Sequence, residues 1–127
     1  MKKTIYNPQA GQPIGPYSQA VLAGNNLFVS GQIALDSGTG NLINDTIEEE
    51  THQVMKNLGF ILEEAKLSFN DVVKCSIFLK DLGNFQQVNE VYGSYFSEGN
   101  FPARETVEVS KLPKDVNVEI SLIAYKG

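Results

Sequence analysis

The chain has 127 residues, 42% of them apolar and 20% charged, which fits one folded domain spanning 1–127 and excludes a disordered chain. A net charge of −5 argues against a protein that wraps nucleic-acid phosphates. One cysteine and one histidine exclude an internal disulfide and a Cys/His metal cluster.

The N-terminal stretch MKKTIYNPQAG has two lysines but no apolar run behind them, so it does not read as a signal peptide. No run reaches the length of a membrane span. The expectation is a cytoplasmic or otherwise reducing location, with no membrane partner. Residues 4–6 fit a short edge strand. Residues 7–18, NPQAGQPIGPYS, read as a loop stiffened by Pro8, Pro13 and Pro16. Gln19–Ala23 and Leu27–Leu35 read as a hairpin closed by Gly24, Asn25 and Asn26. In its second strand Leu27, Val29, Ile33 and Leu35 point one way, and Phe28, Ser30, Gln32 and Ala34 the other. Gly31 interrupts the pattern, and a glycine inside a strand marks a bulge or a close approach to the backbone.

After a turn at 36–41, Thr46 and Glu49 have capping-box spacing, opening a helix to about Lys66. Ile47, Thr51, Val54, Met55, Leu58, Ile61, Leu62 and Ala65 share one face of it. Phe60 falls on the polar side, where it is either covered by another element or a stray exposed aromatic, the second being the expectation. Val72–Lys80 is a strand whose core face is Val73, Cys75, Ile77 and Leu79, with Lys74, Ser76, Phe78 and Lys80 opposite. A second helix runs from about Asn84 to Ser97, with Phe85, Val88, Tyr92, Tyr95 and Phe96 inward. Asn89 shares that face, and a buried amide needs a specific partner.

The last quarter reads as two strands. Val107 and Val109 alternate with Arg104, Thr106 and Glu108. Val116, Val118, Ile120, Leu122 and Ala124 alternate with Asn117, Glu119, Ser121, Ile123 and Tyr125. Two amphipathic helices can cover one face of such a sheet, giving a two-layer α+β domain with a mixed sheet of about six strands. The uncovered face is expected to carry Phe28, Ser30, Gln32, Lys74, Ser76, Phe78, Arg104, Thr106, Glu108, Glu119, Ser121, Ile123 and Tyr125. Its apolar members predict a homo-oligomer packed through this face.

No nucleophile motif, phosphate loop or calcium loop is present, and His52 reads as a solvated helix-surface residue. Arg104 and Glu119, with Ser30, are the candidates that remain. Arginine matches a carboxylate with a rigid fork, and glutamate can hold or activate a water. An interface ion pair and a small-carboxylate site both fit. Tyr17 fits either an ordinary loop aromatic or a cover for the ligand.

Segments IGPYSQA at 14–20, SGQIAL at 30–35, FLKDLGNFQQVNEVY at 78–92, FPARETVEV at 101–109 and KLPKDVNVEI at 111–120 run in order along the chain. Together they resemble the RidA (YjgF) family of reactive-intermediate imine deaminases. The resemblance implies a chorismate-mutase-like fold and a homotrimer with sites between subunits. It also implies hydrolysis of 2-iminobutanoate and 2-iminopropanoate to 2-keto acids and ammonia, without metal or cofactor. The imines are products of pyridoxal-phosphate-dependent dehydratases. By the same resemblance Arg104 grips the substrate carboxylate and Glu119 positions the attacking water. Tyr17, Ser30, Gly31 and Asn89 line the pocket. Thr106 stands where family members often have cysteine, which leaves a hydroxyl there and no thiol chemistry. The other readings are a non-catalytic trimeric regulator that binds small carboxylates, and an RNA-cleaving translation inhibitor. The acidic balance and the lack of a histidine acid–base pair argue against the last.

Overall fold

In a computed structural model that describes residues 1–127, the strands are β1 (Lys2–Ile5), β2 (Ala20–Ala23), β3 (Asn26–Gln32), β4 (Val72–Leu79), β5 (Ala103–Glu108) and β6 (Val118–Tyr125). The helices are α1 (Ile47–Glu64) and α2 (Phe85–Gly93). The strands form one mixed sheet in the order β1-β2-β3-β6-β4-β5. Only the β4–β5 pair is parallel, with α2 in the crossover between them. This is the α+β architecture that the alternation and the helical spacing predict.

One cluster of 23 buried residues lies between the sheet and the helices. From α1 it takes Val54, Met55, Leu58, Ile61 and Leu62, and from β6 it takes Val118, Ile120, Leu122 and Ala124. The opposite sheet face has no element on it, and Phe28 and Tyr125 there stay 46% and 48% exposed. The Thr46 hydroxyl caps α1 by accepting from Glu49 N at 3.1 Å. The second helix ends earlier than expected. From Ser94 to Phe96 the chain tightens into bonds to the residue three back, a common finish for a helix. Phe60 is covered, not exposed: it packs against the core, and its carbonyl accepts from Asn7 Nδ2 at 3.0 Å.

Two irregularities shift the alternation. Val72 pairs with Ala124 and Lys74 with Ile123, so Val73 is an extra residue and turns outward, against its expected core position. On β3, Val29 pairs with Leu122 and Gln32 with Ile120. The added residue at Ser30–Gly31 makes the bulge that the interrupting glycine suggested. Past it the faces exchange, so Gln32 and Ala34 are buried and Ile33 is not, the reverse of the expected assignment.

Candidate active site

The largest correction concerns β5. Cys75 pairs with Arg104, Ile77 with Thr106 and Leu79 with Glu108. Neighbours in register share a face, and Cys75, Ile77 and Leu79 are core residues. Arg104, Thr106 and Glu108 therefore lie on the helix side of the sheet, not on its open face. Glu105 and Val107 take the open side instead. Glu105 accepts there from Ser76 Oγ and pairs with Lys74 at 3.0 Å.

The helix-side residues make one half of a site. Arg104 Nη1 donates to Asn89 Oδ1 at 2.7 Å. Its guanidinium carbon stands 5.1 Å from the Tyr92 ring centre and 5.5 Å from that of Phe85, within cation–π reach. Phe85, Asn89 and Tyr92 are spaced i, i+4 and i+7 on α2, so one helical face supplies all three. This is the specific partner the inward amide required. Sequence reasoning did not connect Phe85 or Tyr92 to Arg104, although their shared spacing with Asn89 carried that signal. The chain's ion pairs are Lys74–Glu105 and Lys80–Asp115, and neither involves Arg104. Its remaining N–H donors face an open cleft of about 340 Å³ lined by Asn89, Tyr92, Gly93, Phe101, Pro102 and Arg104. A guanidinium with an amide and two rings beside it, and no carboxylate, is built to receive an anion.

Beneath Arg104 the environment is dry. The Tyr92 and Thr106 hydroxyls are buried without an oxygen or nitrogen partner, and Tyr92 faces the Cys75 thiol, a weak partner at best. Burial pushes the pKa values of both Cys75 and Tyr92 up. The thiol is fully buried and unreactive by this measure.

The open face holds the other half. Glu119 pairs with Phe78 on the outward side of β6. Burial raises the pKa of its carboxyl above the ordinary 4.5. The bulge brings Gly31 against it: a Cβ at Gly31 would lie 2.8 Å from the Glu119 carboxyl carbon. Only a residue without a side chain leaves that carboxylate its place. Ser30, in the same bulge, donates its hydroxyl to Ser18 O at 2.6 Å, and its N–H donates to Gln19 O at 2.8 Å. Tyr17 is 48% exposed and shares a hollow with Gly31, Ile14 and Lys114. Buried Gln19 holds the proline loop in place, donating to Gly11 O at 2.9 Å and accepting from Asn7 N at 2.8 Å.

The structure thus gathers Arg104, Asn89 and Thr106 on one side of the sheet. Glu119, Gly31 and Ser30 gather on the other, with Tyr17 at the edge of that group. It does not bring Arg104 to Glu119. Glu119 pairs with Phe78, which pairs with Val107. Arg104 is two strands and three residues away, roughly 14 Å at ordinary strand spacing and rise, and its side chain leaves the opposite face. No three His, Cys, Asp or Glu side chains gather into a metal-binding group. No helix is long and apolar enough to cross a membrane.

The fold is a two-layer α+β domain with one six-stranded mixed sheet, an arginine without an ion-pair partner on its helix side and a half-buried glutamate on its open face. The chain belongs to the RidA/YjgF family: the family model described as Endoribonuclease L-PSP matches residues 7–126. A RutC family protein of Pyrococcus horikoshii is 52% identical over 126 residues, covering 99% of both chains. The human protein named 2-iminobutanoate/2-iminopropanoate deaminase is 42% identical, covering 100% of this chain and 92% of that one. The crystal structure of Escherichia coli TdcF with bound serine superposes with a TM-score of 0.94 at 37% identity, covering 98% of this chain and 99% of that one.

Proposed function

We propose that this protein is a 2-imino acid deaminase, hydrolysing 2-iminobutanoate and 2-iminopropanoate to 2-keto acids and ammonia. The reading places its sites between neighbouring subunits of a homotrimer. The observation that carries it is the division of the candidate site. One chain offers an anion-receiving arginine on one face and a half-buried carboxylate on the other, too far apart for one small substrate. A second copy packed through the open face, where Phe28 and Tyr125 are exposed, supplies the missing half. The name of the human relative and the serine bound in TdcF support a small amino-acid-like ligand.

Arg104 grips the substrate carboxylate, oriented by Asn89 and backed by Tyr92 and Phe85. Phe101 and Pro102 wall the cleft against the substrate's apolar end. Glu119 of the neighbouring subunit takes a proton from water as the water oxygen bonds to C2, and the C=N electron pair moves to nitrogen. The carbinolamine then collapses: Glu119 returns its proton to nitrogen, the C–N bond breaks with its electron pair leaving on ammonia, and the C2 hydroxyl gives its remaining proton back to Glu119 as its oxygen becomes the keto group. An iminium carbon beside a carboxylate is already electrophilic, so positioning suffices, with no cofactor in the scheme. A raised Glu119 pKa brings that base closer to the working pH. One buried thiol fits a reducing, cytoplasmic setting.

The test is turnover of imine generated by an amino-acid oxidase and trapped by semicarbazide. Arg104→Ala is expected to lose roughly 2–4 kcal/mol of transition-state binding, the worth of a charge-assisted fork. Arg104→Lys should fare little better, because an ammonium lacks the planar fork. Wild-type turnover in either variant defeats the assignment. The second reading, a regulator that binds small carboxylates without turning them over, draws on the Arg104 cleft, which is complete within one chain. Binding of 2-ketobutyrate without imine turnover would favour it. RNA cleavage has less support, since the lone histidine, His52, sits on α1 against Tyr95 Oη at 2.9 Å.

A further inference from the structure

The first turn of α1 contains a carboxylate that the proposed chemistry does not use. Glu50 is completely buried, in a chain where acidic side chains are otherwise at least partly exposed. It reaches across to the start of β6. Its Oε2 accepts from Asn117 N at 2.8 Å and from Val118 N at 3.2 Å, and its Oε1 accepts from Asn117 Nδ2 at 2.8 Å. Asn117 O in turn accepts from Lys80 N at 3.0 Å, which ties the same point to the end of β4. These contacts fall on the two residues immediately before Glu119.

The approach to this point is strained. Lys114 and Asp115 both adopt left-handed backbone, with φ of 55° and 56°. Consecutive left-handed residues with side chains are costly and persist only where surrounding contacts hold them. Asp115 is held from outside by Lys80 at 2.8 Å. Glu50 holds the exit from inside. A rotation of the chain at 117–118 would turn Glu119 away from Gly31, because side chains alternate along a strand.

We propose that Glu50 is a positioning residue for the Glu119 half of the site: its carboxylate clamps two successive backbone N–H groups and thereby fixes the phase in which β6 begins. The claim rests on the reading of Glu119 as the group that acts on water. Glu50 touches no substrate in this scheme. It acts through the backbone, over a sequence separation of 67 to 68 residues.

Two variants separate geometry from charge. Glu50→Asp keeps the charge but withdraws the carboxylate by one methylene, out of reach of both N–H groups. Glu50→Gln keeps an acceptor oxygen for both, and Asn117 can turn its amide to match the new one. For each, the Glu119 carboxyl is titrated by 13C NMR, assigned with Glu119→Gln, beside imine kinetics and thermal unfolding. In Glu50→Asp the Glu119 midpoint should fall toward that of a solvated glutamate, as water reaches a loosened strand start. Its kcat should drop about 10- to 100-fold, the scale of an ångström-sized misplacement, with KM nearly unchanged. Glu50→Gln should stay within about threefold of wild type, the worth of one neutral hydrogen bond. A Glu50→Asp protein that unfolds at lower temperature but keeps the wild-type Glu119 midpoint and kcat overturns the proposal. So does an equal loss in both variants, which would make charge the cause. If wild type itself turns over no imine, the deaminase reading fails, and the titration still decides whether Glu50 sets Glu119.

Discussion

Arg104 and Glu119 face away from each other across one sheet, with β4 between the strands that carry them. Under the proposed function this arrangement makes activity a property of pairs of chains. Arg104→Ala and Glu119→Gln should each retain only a small residual turnover alone. When the two are unfolded together and reassembled at equal amounts, about a quarter of the sites should unite an intact arginine with an intact glutamate, by random assortment around a ring. The measurement is imine turnover of the mixture against each parent. No recovery in a mixture whose mixed assembly is verified by mass spectrometry would place both groups of each site in one chain.

Gly31→Ala tests the close approach at the bulge. The added Cβ meets the end of the Glu119 side chain, not backbone, and Gly31 does not have a positive φ. The fold should therefore bear the change with little loss of thermal stability. The displaced carboxylate should lower kcat by about 10- to 100-fold, as misplacement of a reacting group does. Comparing kcat with the unfolding temperature separates the two effects. A large drop in unfolding temperature would show a packing role for Gly31 instead.

The pH dependence follows from the raised pKa of Glu119. The folded chain holds that proton to higher pH than the unfolded chain does. The resulting stabilisation is full below the unfolded value and is lost as pH rises through the folded value. At neutral pH the ionised carboxylate is a net destabilising group. Glu119→Gln should raise the unfolding temperature at pH 7 and change it little near pH 3. The wild-type kcat/KM should climb over the same window, with a midpoint above 4.5, and that limb should vanish in Glu119→Gln. A limb that survives in Glu119→Gln would assign the base to another group.

Alternation and helical spacing were enough to read the sheet, both helices and the core of β6, because Val118, Ile120, Leu122 and Ala124 keep strict period two in the centre of the sheet. The same rule failed where the strand count changes. Val73 and Ser30–Gly31 each insert a residue, and every position beyond Gly31 on that strand exchanges faces. Only Gly31 announced its bulge. Arg104 was misplaced for a different reason. On the edge strand β5, Val107 is 42% exposed, so its hydrophobicity marks the open face and not the core. Which face Arg104 occupies is decided by parallel register with Cys75, and no local pattern records that pairing. The Asn89 requirement was legible because a polar side chain on an apolar helical face must find a partner. Glu50 gave no comparable sign, as one of three successive glutamates that open a helix.

Gln19 makes the most bonds of any side chain to the proline loop, beside single bonds from Asn7 to Phe60 O, from Ser30 to Ser18 O and from Ser37 to Gln9 O. Its side-chain amide nitrogen reaches the carbonyls of Asn7, Ala10 and Gly11, and its oxygen takes the N–H of Asn7. A segment held mainly by side-chain bonds, outside the strand ladders, can open while the rest of the fold stays shut. The exposed part of the loop, from Gln12 to Tyr17, is therefore expected to open below the free energy of global unfolding, which hydrogen exchange would register. The rigidity of the segment bearing Tyr17 then depends on the amide at position 19.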